Sequence, residues 1–359
     1  GQPKRPAKFN ATLVTDDGSR HVLDADQARR AAGDLYALSS RRVAVQFSPA
    51  KRAGGLRSIE AIVPVEPLRT TASARVMSMA KAVTGNTRWV TLACKFSDIA
   101  TEQKPVTFFQ DQYGIAPGQL GHYWQEVSYG KIDLTGSTAH GWFTLPQPRS
   151  YYIKTVDGED DADLDLLFED CAAAADPMVN FAGVKGINMM FNGDLDGSAW
   201  GGSACGPLEG VANACIRNTW NPPWAFNNLA PLAHQMGHGY GLPHSNNSDG
   251  DDDTYDNPWD VMSSAWYNAV ANVTYGTLPK HINVYQRERL GWMDAARKQA
   301  VAYNPGTRQQ VSLDFAHLVA TANKQMLVLS MSPQADPYAG AIYVVEARKR
   351  TGTYETKLA

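Results

Sequence analysis

One short run limits this chain more than any other feature: His234-Gln235-Met236-Gly237-His238-Gly239-Tyr240-Gly241-Leu242-Pro243-His244, which holds three of its eight histidines. Leu229 to His238 reads as a helix, with Asn228 placed to cap it and Pro231 in the first turn, where a missing amide is tolerated. His234 and His238 then stand one turn apart on the same face. Gly239 and Gly241 are expected to take positive φ and end the helix, and Pro243 stiffens the reversed chain so that His244 returns towards the pair. Three neutral imidazoles with a fourth position open are the ligand set of a catalytic zinc site. The expected cofactor is therefore Zn2+, with His234, His238 and His244 as ligands.

The run resembles the long zinc signature of the metzincin metallopeptidases, His-Glu-x-x-His-x-x-Gly-x-x-His, matching at His234, His238, Gly241 and His244. Metzincins carry a methionine turn beneath the metal, and Trp259-Asp260-Val261-Met262-Ser263 is similar to it, with Met262 as the floor. Tyr123 to Lys131 and Gly141 to Pro146 resemble secreted gametolysin-like and immune-inhibitor-A-like peptidases. The likeness covers about residues 85 to 300 and is strongest from 230 to 265. It implies an α/β (α+β) metzincin-like zinc peptidase domain, secreted, cutting a polypeptide or glycoprotein substrate. At the catalytic position the chain departs from the family, because Gln235 stands where the glutamate belongs. That glutamate takes a proton from water and passes it to the leaving amine, which an amide cannot do. Gln235 marks either an introduced inactivating change or a natural zinc-containing module that binds protein or glycoprotein. A zinc hydrolase acting on another bond stays open as well. Some family members add a tyrosine ligand two residues past the methionine, where this chain has Ser264.

The rest of the chain sets the frame. With 359 residues, 43% hydrophobic and 19% charged, it is long and apolar enough for two or three folded domains. A net charge of −3 gives no general attraction to nucleic acid, and no apolar run reaches the ~18–20 residues of a membrane span. The start at Gly1 reads as a processed or trimmed end, and the stop just beyond a strand suggests a cut from a longer polypeptide. Short β-branched runs around Ala11–Val14 and Arg42–Phe47, with turns at Asp16-Asp17-Gly18 and Ala53-Gly54-Gly55, predict a β-rich N-terminal domain over 1–82. Arg69 to Asn86 reads as a connection or surface helix. The catalytic domain is placed at 83–300, with strands at Trp89–Cys94 and Gly186–Phe191 and a helix over Asp161–Ala175. Ile187–Phe191 is expected to be an edge strand able to add an extended peptide, with Trp200 either lining a subsite or serving as a core aromatic. A β-rich segment over 301–359 follows, with strands near Gln325–Leu329 and Ala341–Val345.

Four cysteines permit three pairings, and none forms a Cys-x-x-Cys metal site. Cys205–Cys215, joined across Gly206-Pro207, and Cys94–Cys171, strand to helix, are the expected disulfides of a secreted protein; four free thiols are the alternative. Asp249, Asp251, Asp253, Asp256 and Asp260 could gather around Ca2+, with Asp194 and Asp196 as a weaker pair, or form a solvated rim. Gly201-Gly202-Ser203-Ala204-Cys205 misses the serine-nucleophile elbow at its last position. Oligomeric state is not legible.

Overall fold

Short β-branched runs broken by turn residues pair with their nearest neighbours, and the start of the chain does so. In the computed structural model, which describes residues 8–51, 57–65, 82–247, 253–333 and 341–358, β1 (Ala11–Val14) and β2 (Arg20–Leu23) form an antiparallel hairpin. Gly18, at φ 85°, turns it. Helix α1 (Ala25–Ala32), capped by the Asp24 carboxylate on the Gln27 amide, leads through a 3-10 turn at Tyr36–Leu38 to the antiparallel pair β3 (Val43–Lys51) and β4 (Arg57–Pro64). These elements share a small core around Ala28, Leu38 and Ile62. Together they make up the N-terminal domain.

From residue 82 the chain lays down β5 (Gly85–Asn86), β6 (Trp89–Lys95), α2 (Val106–Gln112), α3 (Leu120–Val127), β7 (Ile132–Asp133), β8 (Thr138–Thr144) and α4 (Arg149–Tyr152). The hairpin β9 (Ile153–Val156) and β10 (Glu159–Ala162), α5 (Leu164–Ala175), β11 (Gly186–Phe191), β12 (Trp200–Leu208), β13 (Val211–Asn221), α6 (Pro223–Phe226) and α7 (Leu229–Gly239) follow. The principal sheet has the order β12-β13-β11-β6-β8. β13, β11, β6 and β8 run parallel, and β12 pairs antiparallel with β13.

Strand side chains alternate between faces, so each strand feeds two cores. Trp89, Ala93 and Met190 face α2, α3 and α7, whereas Val90, Leu92, Ile187, Met189 and Phe191 face α5. On that second face Cys94 of β6 is bonded to Cys171 of α5. Beyond α7 come the hairpin β14 (Val270–Asn272) and β15 (Gly276–Leu278), helix α8 (Val284–Arg289), and a sheet of β16 (Lys298–Val301), β17 (Met326–Ser330) and β18 (Ile342–Val345). Met326 and Val328 of β17 pack with Val284 of α8 and with Tyr129, tying this sheet to the body.

The mixed α/β character agrees with the sequence reading, and several details differ. Gly186–Phe191 forms a strand with the expected bounds but lies between β13 and β6, with all six residues buried. A run without polar alternation suits a strand flanked on both sides; the edges of the sheet are β12 and β8. Helix α5 begins at Leu164 rather than Asp161, because Asp163 caps it through the Leu166 amide and Asp161 and Ala162 belong to β10. Cys205 and Cys215 are bonded as expected, yet as opposite residues of the β12–β13 pair, whose chain reverses at Glu209-Gly210. Gly206 and Pro207 lie inside β12. The Ala53-Gly54-Gly55 turn, most of the connection from Arg69, and Asp249 and Asp251 lie outside the described residues. No helix among the described residues is long and apolar enough to cross a membrane.

Candidate metal centre

Helix α7 is buried along its whole length, and its N-cap falls at Asn228 as the sequence predicts. The Asn228 side chain does not cap, however: it donates to the Trp224 carbonyl at 2.8 Å and accepts from Thr277 Oγ1 at 3.2 Å, bracing α7 against α6 and β15. At the other end the Gly241 amide bonds the His238 carbonyl at 2.9 Å and the Leu242 amide bonds the Gly237 carbonyl at 3.0 Å. With Gly241 at φ 97°, this pair of bonds is a Schellman turn, and it requires glycine at that position. Gly239 has a different task from the expected one. It remains in the helix, where an added Cβ would sit 2.9 Å from the Trp89 ring.

The turn carries His244 back over the helix. His234, His238 and His244 converge, with Nε2 atoms 3.0 Å apart for His234–His238, 3.2 Å for His238–His244 and 3.3 Å for His234–His244. The outer nitrogens of the two helical histidines are committed: His234 Nδ1 donates to the Val261 carbonyl at 2.6 Å and His238 Nδ1 to the Leu242 carbonyl at 2.7 Å. Those bonds fix both tautomers and leave both Nε2 lone pairs pointing inward. Burial pushes the His234 pKa down to about 4 and the His244 pKa down to about 3, and holds His238 well below its ordinary value, where its two histidine neighbours act in the same direction. All three are neutral near pH 7 and could hold a metal ion.

The segment around Met262 is built into this arrangement. Its sulfur lies against α7 at Gly237, where an added Cβ would be only 2.3 Å from Sδ, which explains the glycine between the first two histidines. Asp260 holds the turn from beneath, one carboxylate oxygen accepting the Met262 amide at 2.7 Å and the other the Asn283 amide at 3.0 Å. Lys280, beneath the same turn, donates to the Ser264 and Tyr267 carbonyls, and burial lowers its pKa to about 8 against the opposing pull of Asp260. Gln235 is 8% exposed beside the triad, and β12 passes so close that a Cβ on Gly201 would lie 2.3 Å from the Gln235 carbonyl.

Calcium finds no comparable cluster among the described residues. Among the described residues the triad is the one group of three or more His, Cys, Asp or Glu side chains placed to share an ion. Asp253 accepts the Tyr255 amide, Asp256 the Asn247 amide, and Asp260 is spent on the turn. Asp196 accepts the Trp200 indole N–H at 3.1 Å and pairs with Lys8.

Two aromatic neighbours escaped the sequence reading. Tyr255 lies edge-on to His244, ring centroids 5.1 Å apart, and Tyr36 of the N-terminal domain stacks on His238 at 4.5 Å. Ser264, two residues past Met262, is buried with its hydroxyl accepting the Tyr267 amide. Local spacing carries no signal for either tyrosine: Tyr36 reaches the triad from some 200 positions away, and Tyr255 from the irregular segment that follows His244. No protein-family model matches the chain, and a search of curated proteins finds no match.

Proposed function

We propose that this chain is a secreted zinc-dependent endopeptidase of metzincin type, held inactive by Gln235 at the general-base position. The reading rests on the Nε2 triangle, with edges of 3.0, 3.2 and 3.3 Å. Three ligands at zinc–nitrogen bonds of about 2.0–2.1 Å in tetrahedral geometry stand about 3.3–3.4 Å apart, close to these edges. Inward lone pairs this near one another repel unless a cation joins them. When bound, zinc supplies Lewis acidity towards a scissile carbonyl and water.

The chain's own residues do the rest. Val261 and Leu242 orient two of the imidazoles, Met262 closes the floor, and the edge strand β12 offers backbone groups to an extended polypeptide. Gln235 retains the length and hydrogen bonding of a glutamate without a proton-accepting carboxylate. The two disulfides support an oxidising, extracellular setting. Gln235 also supports a second reading, a zinc-containing binding module for protein or glycoprotein.

Metal analysis and reversion separate these. The chain as it stands binds about one zinc, lost in His238→Ala. Gln235→Glu keeps the zinc and gains proteolysis by roughly 10²–10⁴-fold. A zinc-free protein overturns the metal site; full zinc with no gain against protein, ester or glycopeptide substrates favours the binding module.

A further inference from the structure

The turn that carries Met262 faces two ways. Towards the triad it presents backbone: the Val261 carbonyl accepts from His234 Nδ1 at 2.6 Å, and the Met262 carbonyl accepts the amide of Ser245, the residue after His244, at 3.1 Å. The turn therefore sets the orientation of one histidine and the path of another. On its far side lies the stretch following β18, a part of the chain that the sequence reading places outside the catalytic domain. Arg348, with its side chain 9% exposed, donates through Nη1 to the Trp259 carbonyl and through Nη2 to the His281 carbonyl at 3.4 Å. Asp260, beside Trp259, accepts the Asn283 amide at 3.0 Å, and Glu346 accepts the Val284 amide at 2.9 Å. One guanidinium thus joins the turn to the segment that holds it from beneath.

A guanidinium suits this place because its planar fork serves several acceptors at fixed angles, which a lysine ammonium does not. Its charge is met at the same point: Glu355, with its side chain 2% exposed, pairs with Nη2, and Glu346 lies 3.6 Å from Nη1. His281 in turn stands 3.4 Å from Glu355 and 2.8 Å from Glu126 of α3. The segment is anchored past this network as well. Tyr354 is fully buried in the core it shares with Tyr123, and its hydroxyl accepts the Gly118 amide at 3.2 Å and lies 2.9 Å from His122 Nδ1. A support fixed on both sides is what a group that orients a metal ligand requires.

We propose that Arg348 is a positioning residue for the metal centre, holding the Met262 turn from behind so that the Val261 carbonyl stays on His234. The proposal rests on the metal-site reading above. In this arrangement the stretch from Glu346 to Glu355 belongs to the metal centre, although it lies far beyond the three histidines in the chain.

The test uses the full chain, well below its unfolding temperature. It reads zinc affinity by chelator competition and, in the metal-free protein, solvent exchange of the His234 Nδ1 proton by NMR. Arg348→Ala is expected to weaken zinc binding by about tenfold and to speed that exchange by a similar factor, because the Val261 carbonyl is no longer held against the imidazole. The single variant strands Glu355 without its cation, so Arg348→Met combined with Glu355→Gln, which removes the partner charge too, is measured beside it and is expected to show the same two effects. Tyr354→Phe loosens the same segment away from the turn and is expected to leave both readouts within about twofold of the parent.

Unchanged affinity and exchange in both Arg348 variants would overturn the proposal. So would equal losses in Tyr354→Phe, which would make the segment a general brace and not a support aimed at the turn. A parent chain that binds no zinc fails the metal-site reading instead, and the imidazole proton then decides the role of Arg348 by itself.

Discussion

Helix α7, which carries His234 and His238, and the N-terminal domain, whose Tyr36 lies against His238 and His244, both reach the histidine triad and are held in opposite ways. α7 is surrounded by core: Leu229, Leu232, Ala233 and Met236 are fully buried, and Gly237 and Gly239 admit Met262 and Trp89 at distances no side chain would allow. The N-terminal domain has a small core around Ala28, Leu38 and Ile62, carries exposed apolar side chains such as Val22 at 83%, and touches the body through ion pairs, hydrogen bonds such as Arg20 to the Cys205 carbonyl, and the Tyr36 ring. Packing at interior density fixes the histidine-bearing helix in one arrangement, whereas polar, half-exposed contacts leave the N-terminal side replaceable by water.

The strongest way to sharpen this contrast is to open the body. Cys94–Cys171 closes a loop of 77 residues beneath the sheet, and replacing both cysteines by serine is expected to cost about 4–5 kcal/mol by the chain-entropy estimate. The Cys205–Cys215 pair, 10 residues apart, is worth about 3 kcal/mol on the same estimate. Urea unfolding of the two double variants measures the difference, and a reversed order would break the picture of a body stapled at its sheet–helix face.

Acid should act next. In the metal-free protein the His234 pKa is about 4, against 6.5 for an ordinary histidine, so the unfolded chain binds more protons between those values. Stability is complete above pH 6.5 and falls as pH drops towards 4, by about 3 kcal/mol from this residue alone. Urea midpoints across that window should fall less steeply in His234→Gln; equal slopes would show that the triad is not buried neutral.

A smaller effect is expected at Gly237→Ala. The new methyl collides with the Met262 sulfur, and overpacking of this kind costs about 1–3 kcal/mol. Thermal unfolding tests it, and a neutral result would mean that the floor of the site yields. The smallest change belongs to the N-terminal side: Val22→Ser, at an exposed position, is expected to shift stability by no more than about 0.5 kcal/mol. A larger loss in the same melting assay would show that the N-terminal domain is welded on after all.

Helix α7 was legible in the sequence because helical geometry is local. Spacing of i and i+4 decides which histidines share a face, a glycine at φ 97° decides where the chain reverses, and neither needs a distant residue. The disulfide partners were legible too, although the β12–β13 register, and not Gly206-Pro207, brings Cys205 to Cys215. The edge of the sheet was not, since strand order is a long-range choice that residues 186–191 share with β6 and β13. Nor could the acidic residues after His244 be sorted, because Asp260 finds its partners at Met262 and Asn283 only once α8 has docked.

The sequence by itself determined the convergent histidines, their helix, the returning turn and the amide that follows His234 at Gln235, all of which follow from short-range stereochemistry and side-chain type. Tertiary structure alone decided which strand is open at the sheet edge, which carbonyls orient the imidazoles, and that Tyr36, some 200 positions from His238 in the chain, rests its ring on the site. Such contacts depend on how separate elements close over one another, and loop closure over long separations leaves no periodic trace in the residues that finally meet.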